Sequence, residues 1–211
     1  MPNISLLLEG DGDFQAVPLL LRTICNDLEL FNVSILPKPK KAGTAAKLGQ
    51  PGVLENFLKY ASFENCDVIL LVVDVDEGCP VEIARNFVAR AQALHLEGNP
   101  RIAFAFLKPE FEVFFLFSLE SLAAKFPADS IDVPPDFTTD DLEAKRDSKN
   151  RLSSFMPKGK IYKETRQQAK YVNHLDYDIL RERCRCYQHL ESAIRWIASA
   201  PDGERVYPVG E

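Results

Sequence analysis

Val68-Ile-Leu-Leu-Val-Val-Asp-Val-Asp-Glu-Gly78 runs six apolar residues into three carboxylates and a glycine. A strand with one wet face alternates apolar and polar residues. This one does not, so it predicts a strand over 68–73 buried on both faces, as in the middle of a parallel sheet. Parallel neighbours need helical crossovers, and the flanking sequence supplies them. Upstream, Pro51 is expected to open a helix whose apolar face is Leu54, Phe57, Leu58 and Ala61. Downstream, Pro80 opens another that reaches about Leu96 and stops at Gly98-Asn99-Pro100.

Further out, Ile4–Leu8 reads as a second buried strand ending at Glu9-Gly10. A helix over 14–30 follows, with Asp13 as its expected N-cap. A strand over 31–36 is ended by Pro37 and Pro39, and a basic loop leads to Thr44. A fourth strand covers 102–107, and a single apolar helix is expected over 110–126, carrying Phe111, Phe114, Phe115 and Phe117. Strands alternating with helices, joined by right-handed crossovers, predict an α/β fold. Its Rossmann-like open, mainly parallel sheet has about four strands, with helices on both faces.

The organisation read from this pattern is an α/β core over 1–118 and a basic, mostly helical extension over 119–211. Between Lys145 and Lys170 there are nine Lys or Arg and two Asp or Glu, a local charge of +7. The chain carries −6 overall, so the remainder carries −13. That balance argues against a generic basic nucleic-acid coat. In the extension, Tyr187, Leu190, Ile194 and Ile197 form one helical stripe.

Other classes are excluded by what is missing. No run of about 18 apolar residues spans a membrane, and Met1–Ser5 lacks the basic start of a secretion signal. Five cysteines in 211 residues do not make a disulfide framework, so a cytoplasmic chain with reduced thiols is expected. Cys184 and Cys186 form a C-x-C without a second pair at zinc spacing and read as two helical thiols. The chain has neither a phosphate-loop motif nor a nucleophile elbow. Its three histidines, His95, His174 and His189, are scattered.

In an open parallel sheet, ligands bind along the edge where the strands end. The residues following the four strands are Glu9 to Asp13; Lys38, Lys40 and Lys41; Asp74, Asp76 and Glu77; and Lys108, Glu110 and Glu112. Carboxylates crowded on one edge need a compensating cation, and hard oxygen donors suit Mg²⁺ or Mn²⁺. Asp74 and Asp76 alternate, so an extended backbone turns both to one face. Gly10 and Gly12 allow a tight turn beside a bound group.

Glu9-Gly10-x-x-Asp13 closing a first strand, followed by Asp74-x-Asp76 closing a later one, resembles the Toprim domain of topoisomerases, primases and small nucleases. The continuation Glu77-Gly78-Cys79-Pro80 is closest to the nuclease-like branches related to overcoming-lysogenization-defect nucleases. The wider chain, including Lys108-Pro-Glu-Phe-Glu112 and Tyr162-Lys163, is similar to a bacterial Toprim-like family of unknown function. The resemblance implies Mg²⁺-dependent (or Mn²⁺-dependent) phosphodiester hydrolysis on DNA or RNA, with an ATPase partner in antiviral defence.

On that reading Glu9, Asp74 and Asp76 are catalytic and metal-binding. Glu112 completes the metal set, and Asp13, Glu77 and Glu110 stand behind it. Lys38, Lys40, Lys41, Lys108, Lys158, Lys160 and Lys163 contact phosphates, as do Lys145, Arg146, Lys149 and Arg151. The alternative is a non-catalytic subunit that docks nucleic acid, nucleotide or a protein at the same edge. Oligomeric state is left open, a homo-oligomer included.

Overall fold

The computed structural model describes residues 1–199 and 203–208. Six strands, β1 (Asn3–Leu8), β2 (Ser34–Ile35), β3 (Lys40–Lys41), β4 (Val68–Asp74), β5 (Arg101–Leu107) and β6 (Val206–Tyr207), form one parallel sheet in the order β2-β1-β4-β5-β6, with β3 also on β1. The expected architecture stands, with more strands than the four read from the sequence. β4 is central, paired along its whole length with β5 and over Val68–Val72 with β1.

Alternation along the strands divides the interior in two. Ile4, Leu6, Leu8, Val68, Leu70, Val72, Ala103 and Ala105 face one core. Leu7, Ile69, Leu71, Val73, Ile102 and Phe104 face the other. The second core is closed by α3 (Val53–Ser62) and α4 (Pro80–Gln92), after the single turn α2 (Ala45–Leu48). The first is closed by α1 (Asp13–Asp27) and by most of the remaining helices: α5 (Val113–Phe117), α6 (Leu119–Lys125), α7 (Ser148–Ser154), α8 (Glu164–Val172), α9 (Tyr177–Arg183) and α10 (Arg185–Ser199).

The extension is therefore part of the core. The stripe Tyr187, Leu190, Ile194 and Ile197 is fully buried, and β6 pairs with β5 through Ile102 and Ala103. Arg101 on β5 donates to the Ile197 carbonyl at 2.9 Å. Among the described residues no helix is long and apolar enough to cross a membrane.

Four local expectations are corrected. The strand over 31–36 shrinks to β2, and the following loop contains β3. Together they make one edge strand on β1: Leu36 N donates to Ile4 O and Ala42 N donates to Leu8 O. Pro37 and Pro39 have no N–H to donate, so pairing lapses between them. Pro51 does not open α3; Gly52, at φ +78°, stands between them. Asp13 is the first residue of α1, and Gly12 occupies the cap position.

Finally, the apolar helix over 110–126 starts at Val113 and breaks at Ser118. The Phe111 N–H is drawn away to Asp74, and the Ser118 hydroxyl accepts from the Asp176 N–H. Glu110 thus lies ahead of the helix and Glu112 at its cap position.

Candidate functional site

The C-terminal ends of β1, β4 and β5 bring the expected acids to one edge, and the local hydrogen bonds explain why each points there. Glu9 follows β1, and its Oε2 accepts from Asp74 N at 3.2 Å, which ties the ends of the two strands together. Asp74 closes β4, and its Oδ1 accepts from Phe111 N at 3.0 Å, which holds the segment after β5 against it. Asp13 Oδ2 accepts from Gly10 N at 2.9 Å, tightening the loop between β1 and α1. Glu112, at the start of α5, is fully buried, and neither carboxylate oxygen has a hydrogen-bond partner. Glu110 is also buried, with one orphaned oxygen. Asp76 and Glu77 are exposed.

Three groups from the extension close over this edge. Lys149 on α7 has its Nζ 2.7 Å from Glu164 and 4.0 Å from Glu110. Gln168 on α8 donates to Asp13 Oδ1 at 2.9 Å. The Tyr162 hydroxyl faces Glu112 without closing a hydrogen bond. Gly12 is what lets α8 come so near: a Cβ there would lie 2.2 Å from Gln168 Oε1 and 2.9 Å from Glu164 Cβ.

The electrostatics follow from this packing. Burial pushes the Glu112 carboxyl up to about 8, against the opposing charge of Lys149. Burial, then the charges of Asp76 and Asp13, push Glu9 up to about 7, against the Asp74 N–H. Burial and the charges of Asp13, Glu112 and Glu9 hold Asp74 well above the ordinary carboxyl range. Asp13 and Glu110 are raised, chiefly by burial. Burial pulls Lys149 down, but Glu112, Glu164 and Asp74 outweigh it and the ammonium is stabilised. Glu112 and Glu9 therefore hold their protons to higher pH than an ordinary carboxyl.

The donor set and the orphaned oxygens of Glu112 and Glu110 match what a hard divalent ion takes. The spacing is looser. Among the described residues the one trio of ligand atoms mutually within 4.8 Å is Glu143, Cys184 and Cys186, so no three of these carboxylates are that close. A cleft of about 600 Å³ beside them is lined by Asp74, Asp76, Glu77, Glu82 and Thr44, among others.

The basic residues divide. Lys40 is paired with Glu64 and lies over the Tyr60 ring, and Lys41 is 2.9 Å from Asp11. Lys108 donates to the carbonyls of Asp76 and Gly78, shaping the loop after β4. Arg146 pairs with Glu77 at 2.9 Å. Lys38, Lys158 and Lys163 are exposed, and Lys160, also exposed, reaches the Ala128 carbonyl at 3.4 Å. Tyr162 is buried between Phe115 and Tyr171, a packing position.

Sequence reasoning gave Lys149 only a phosphate-contact role and passed over Glu164 and Gln168. The available signal was Glu164 itself, one of two acids in a stretch with nine cations, with Gln168 four residues on and so on the same helix face.

The fold and its acidic edge define an α/β protein with a carboxylate cluster at the strand ends, covered by its own helical extension. The chain belongs to the family described as a domain of unknown function, DUF4276, which matches residues 8–195 and so takes in sheet and extension together. No curated protein and no solved structure matches the chain.

Proposed function

We propose that this protein is a Mg²⁺- or Mn²⁺-dependent nuclease that hydrolyses phosphodiester bonds of DNA or RNA at the β1–β4–β5 edge. The observation that carries the reading is the convergence of Glu9, Asp74 and Glu112 there, with both Glu112 oxygens buried and unpartnered. Apolar side chains would be the cheaper filling for such a position. Glu9, Asp74, Asp76 and Glu112 would hold the ion. Bound there, it supplies Lewis-acid polarisation of a phosphoryl oxygen.

Glu9, held at the edge by the Asp74 N–H, is the carboxylate that would accept a proton from an attacking water. Lys149 supplies a fixed positive charge beside the cluster, placed to meet a non-bridging oxygen. The exposed Lys158, Lys160 and Lys163 give a polyanion its longer-range contacts. An ATPase partner and a role in antiviral defence belong to the same proposal, and rest on the Toprim resemblance.

A second reading has one specific observation in its favour. Among the described residues no three carboxylates lie within 4.8 Å of one another, and Lys149 already balances part of their charge. A non-catalytic subunit that docks nucleic acid, nucleotide or a protein at this edge fits that state.

Calorimetric titration of Mn²⁺ and Mg²⁺ into wild type and Asp74→Asn separates the two readings. Asn keeps an oxygen for the Phe111 N–H, so the fold is expected to survive. The nuclease reading expects saturable binding that Asp74→Asn removes. It also expects metal-dependent nucleic-acid cleavage that falls by about 100-fold or more in the variant. Equal binding and cleavage in both proteins would overturn it.

A further inference from the structure

Beside the Lys108 carbonyl lies a chemically different group. Cys184, between α9 and α10, and Cys186, in the first turn of α10, are both buried, with Sγ atoms 3.4 Å apart. Glu143 reaches them from a turn over Leu142–Ala144, more than 40 residues upstream. Its Oε1 is 3.9 Å from Cys184 Sγ and accepts from Cys186 N at 2.7 Å; Oε2 accepts from Arg185 N at 3.0 Å. The three ligand atoms all lie within 4.8 Å of one another.

We infer that Glu143, Cys184 and Cys186 form a site for a borderline-soft divalent ion, Zn²⁺ in the first place. In a tetrahedral Zn²⁺ site with Zn–S of about 2.3 Å, ligand atoms lie about 3.5–3.8 Å apart. The sulfurs, 3.4 Å apart, and the Cys184 Sγ–Glu143 Oε1 pair, 3.9 Å apart, each lie within about 0.4 Å of that spacing, a shift that side-chain rotation on binding supplies. The N–H groups of Arg185 and Cys186 fix the Glu143 carboxylate, the outer support that metal ligands need.

The sulfurs have no strong partner of their own. Cys186 Sγ is 3.9 Å from the Lys108 carbonyl, and the remaining contact of each is the other sulfur or Glu143. A cavity of about 550 Å³, lined by Glu143, Cys186 and His189 among others, opens on the cluster. His189 lines that cavity but is not among the ligand atoms mutually within 4.8 Å, so water from the cavity is the fourth ligand.

Thiolates select Zn²⁺ over Mg²⁺, so the thiol cluster and the carboxylate cluster differ in the ion they take. A bound ion would staple the Leu142–Ala144 turn to the α9–α10 junction, against the backbone of Lys108.

The test uses the reduced, chelator-treated full chain with Co²⁺ as the spectroscopic probe. One equivalent is expected to produce near-ultraviolet thiolate-to-cobalt charge transfer and tetrahedral visible bands, both displaced by one equivalent of Zn²⁺. Cys184→Ser and Cys186→Ser abolish the signal. Glu143→Gln weakens binding by about tenfold or more, and Asp74→Asn leaves it unchanged. Absence of the charge-transfer band in wild type, or its persistence in Cys186→Ser, overturns the site.

A measurement on wild type alone covers the case in which the variants do not fold. Zn²⁺ is expected to slow alkylation of Cys184 and Cys186 by about tenfold, while the exposed Cys79 reacts at its usual rate. Equal rates with and without Zn²⁺ overturn the site as well.

Discussion

The strand ends of the sheet and the helices of the extension contribute opposite things to one place. β1 and β4 deliver Glu9 and Asp74 by simple alternation and termination, each tied to the next strand through a backbone N–H. α7 and α8 deliver Lys149 to Glu110 and Gln168 to Asp13 across 39 and 155 residues of chain, through tertiary packing alone. The sheet side crowds carboxyl groups that cannot move apart, because the backbone positions them, and burial there favours their protonated forms. The extension side is the counterweight, and its position depends on how closely α8 lies on the loop between β1 and α1. Acid placement is thus a property of local strand geometry, while its neutralisation is a property of docking.

The sharpest way to break this comparison is at the contact itself. Gly12→Ala puts a methyl where Glu164 Cβ and Gln168 stand, so α8 must shift. A loss of about 1–3 kcal/mol is expected by urea denaturation, along with weaker coupling of Lys149 to the acids. An unchanged midpoint would show that α8 adapts freely and that docking does not set the cluster.

Removing the counterweight comes next. Lys149→Met leaves Glu164 and Glu110 without their cation; since the Lys149 side chain is 39% exposed, the expected cost at pH 7 is about 1–2 kcal/mol after solvent screening. Equal stability of the two proteins in a thermal melt would remove Lys149 from the balance.

The third prediction concerns pH. Glu9 and Glu112 have folded-state values near 7 and 8, above their ordinary value of 4.5. Between these limits the native state holds more protons than the unfolded chain, so stability falls as pH rises. The contribution is fully present below about pH 4.5 and lost by about pH 8. A Tm series from pH 5 to pH 9 without divalent ions is expected to decline by several degrees. Glu112→Gln flattens the decline and Lys149→Met steepens it. Parallel curves for all three proteins would show that Glu112 does not titrate in this window.

The smallest effect tests the periphery. The Lys41–Asp11 pair is solvent-exposed on both sides. Lys41→Ala is expected to change stability by less than about 0.5 kcal/mol, while lowering the salt dependence of any nucleic-acid binding by about one unit of slope if Lys41 contacts a phosphate. An unchanged slope would assign Lys41 to its ion pair alone.

The sequence by itself determined the parallel sheet, because a short Val/Ile/Leu run set between helical segments fits a strand covered on both faces. It also determined which acids reach the edge, because alternation and strand ends are local properties. Only the tertiary structure decided that the chain pairs with β1 again at β3 after the lapse at Pro37 and Pro39, since that depends on β1 extending to Leu7 and Leu8 beside Lys40 and Lys41. Only the tertiary structure decided that Lys149 meets Glu110, that Gln168 meets Asp13 and that Glu143 meets Cys184 and Cys186. Those partners are 39, 155 and more than 40 residues apart. No local preference records such a pairing; it exists because the apolar faces of α5 and α8–α10 bury against the sheet and carry their polar residues with them.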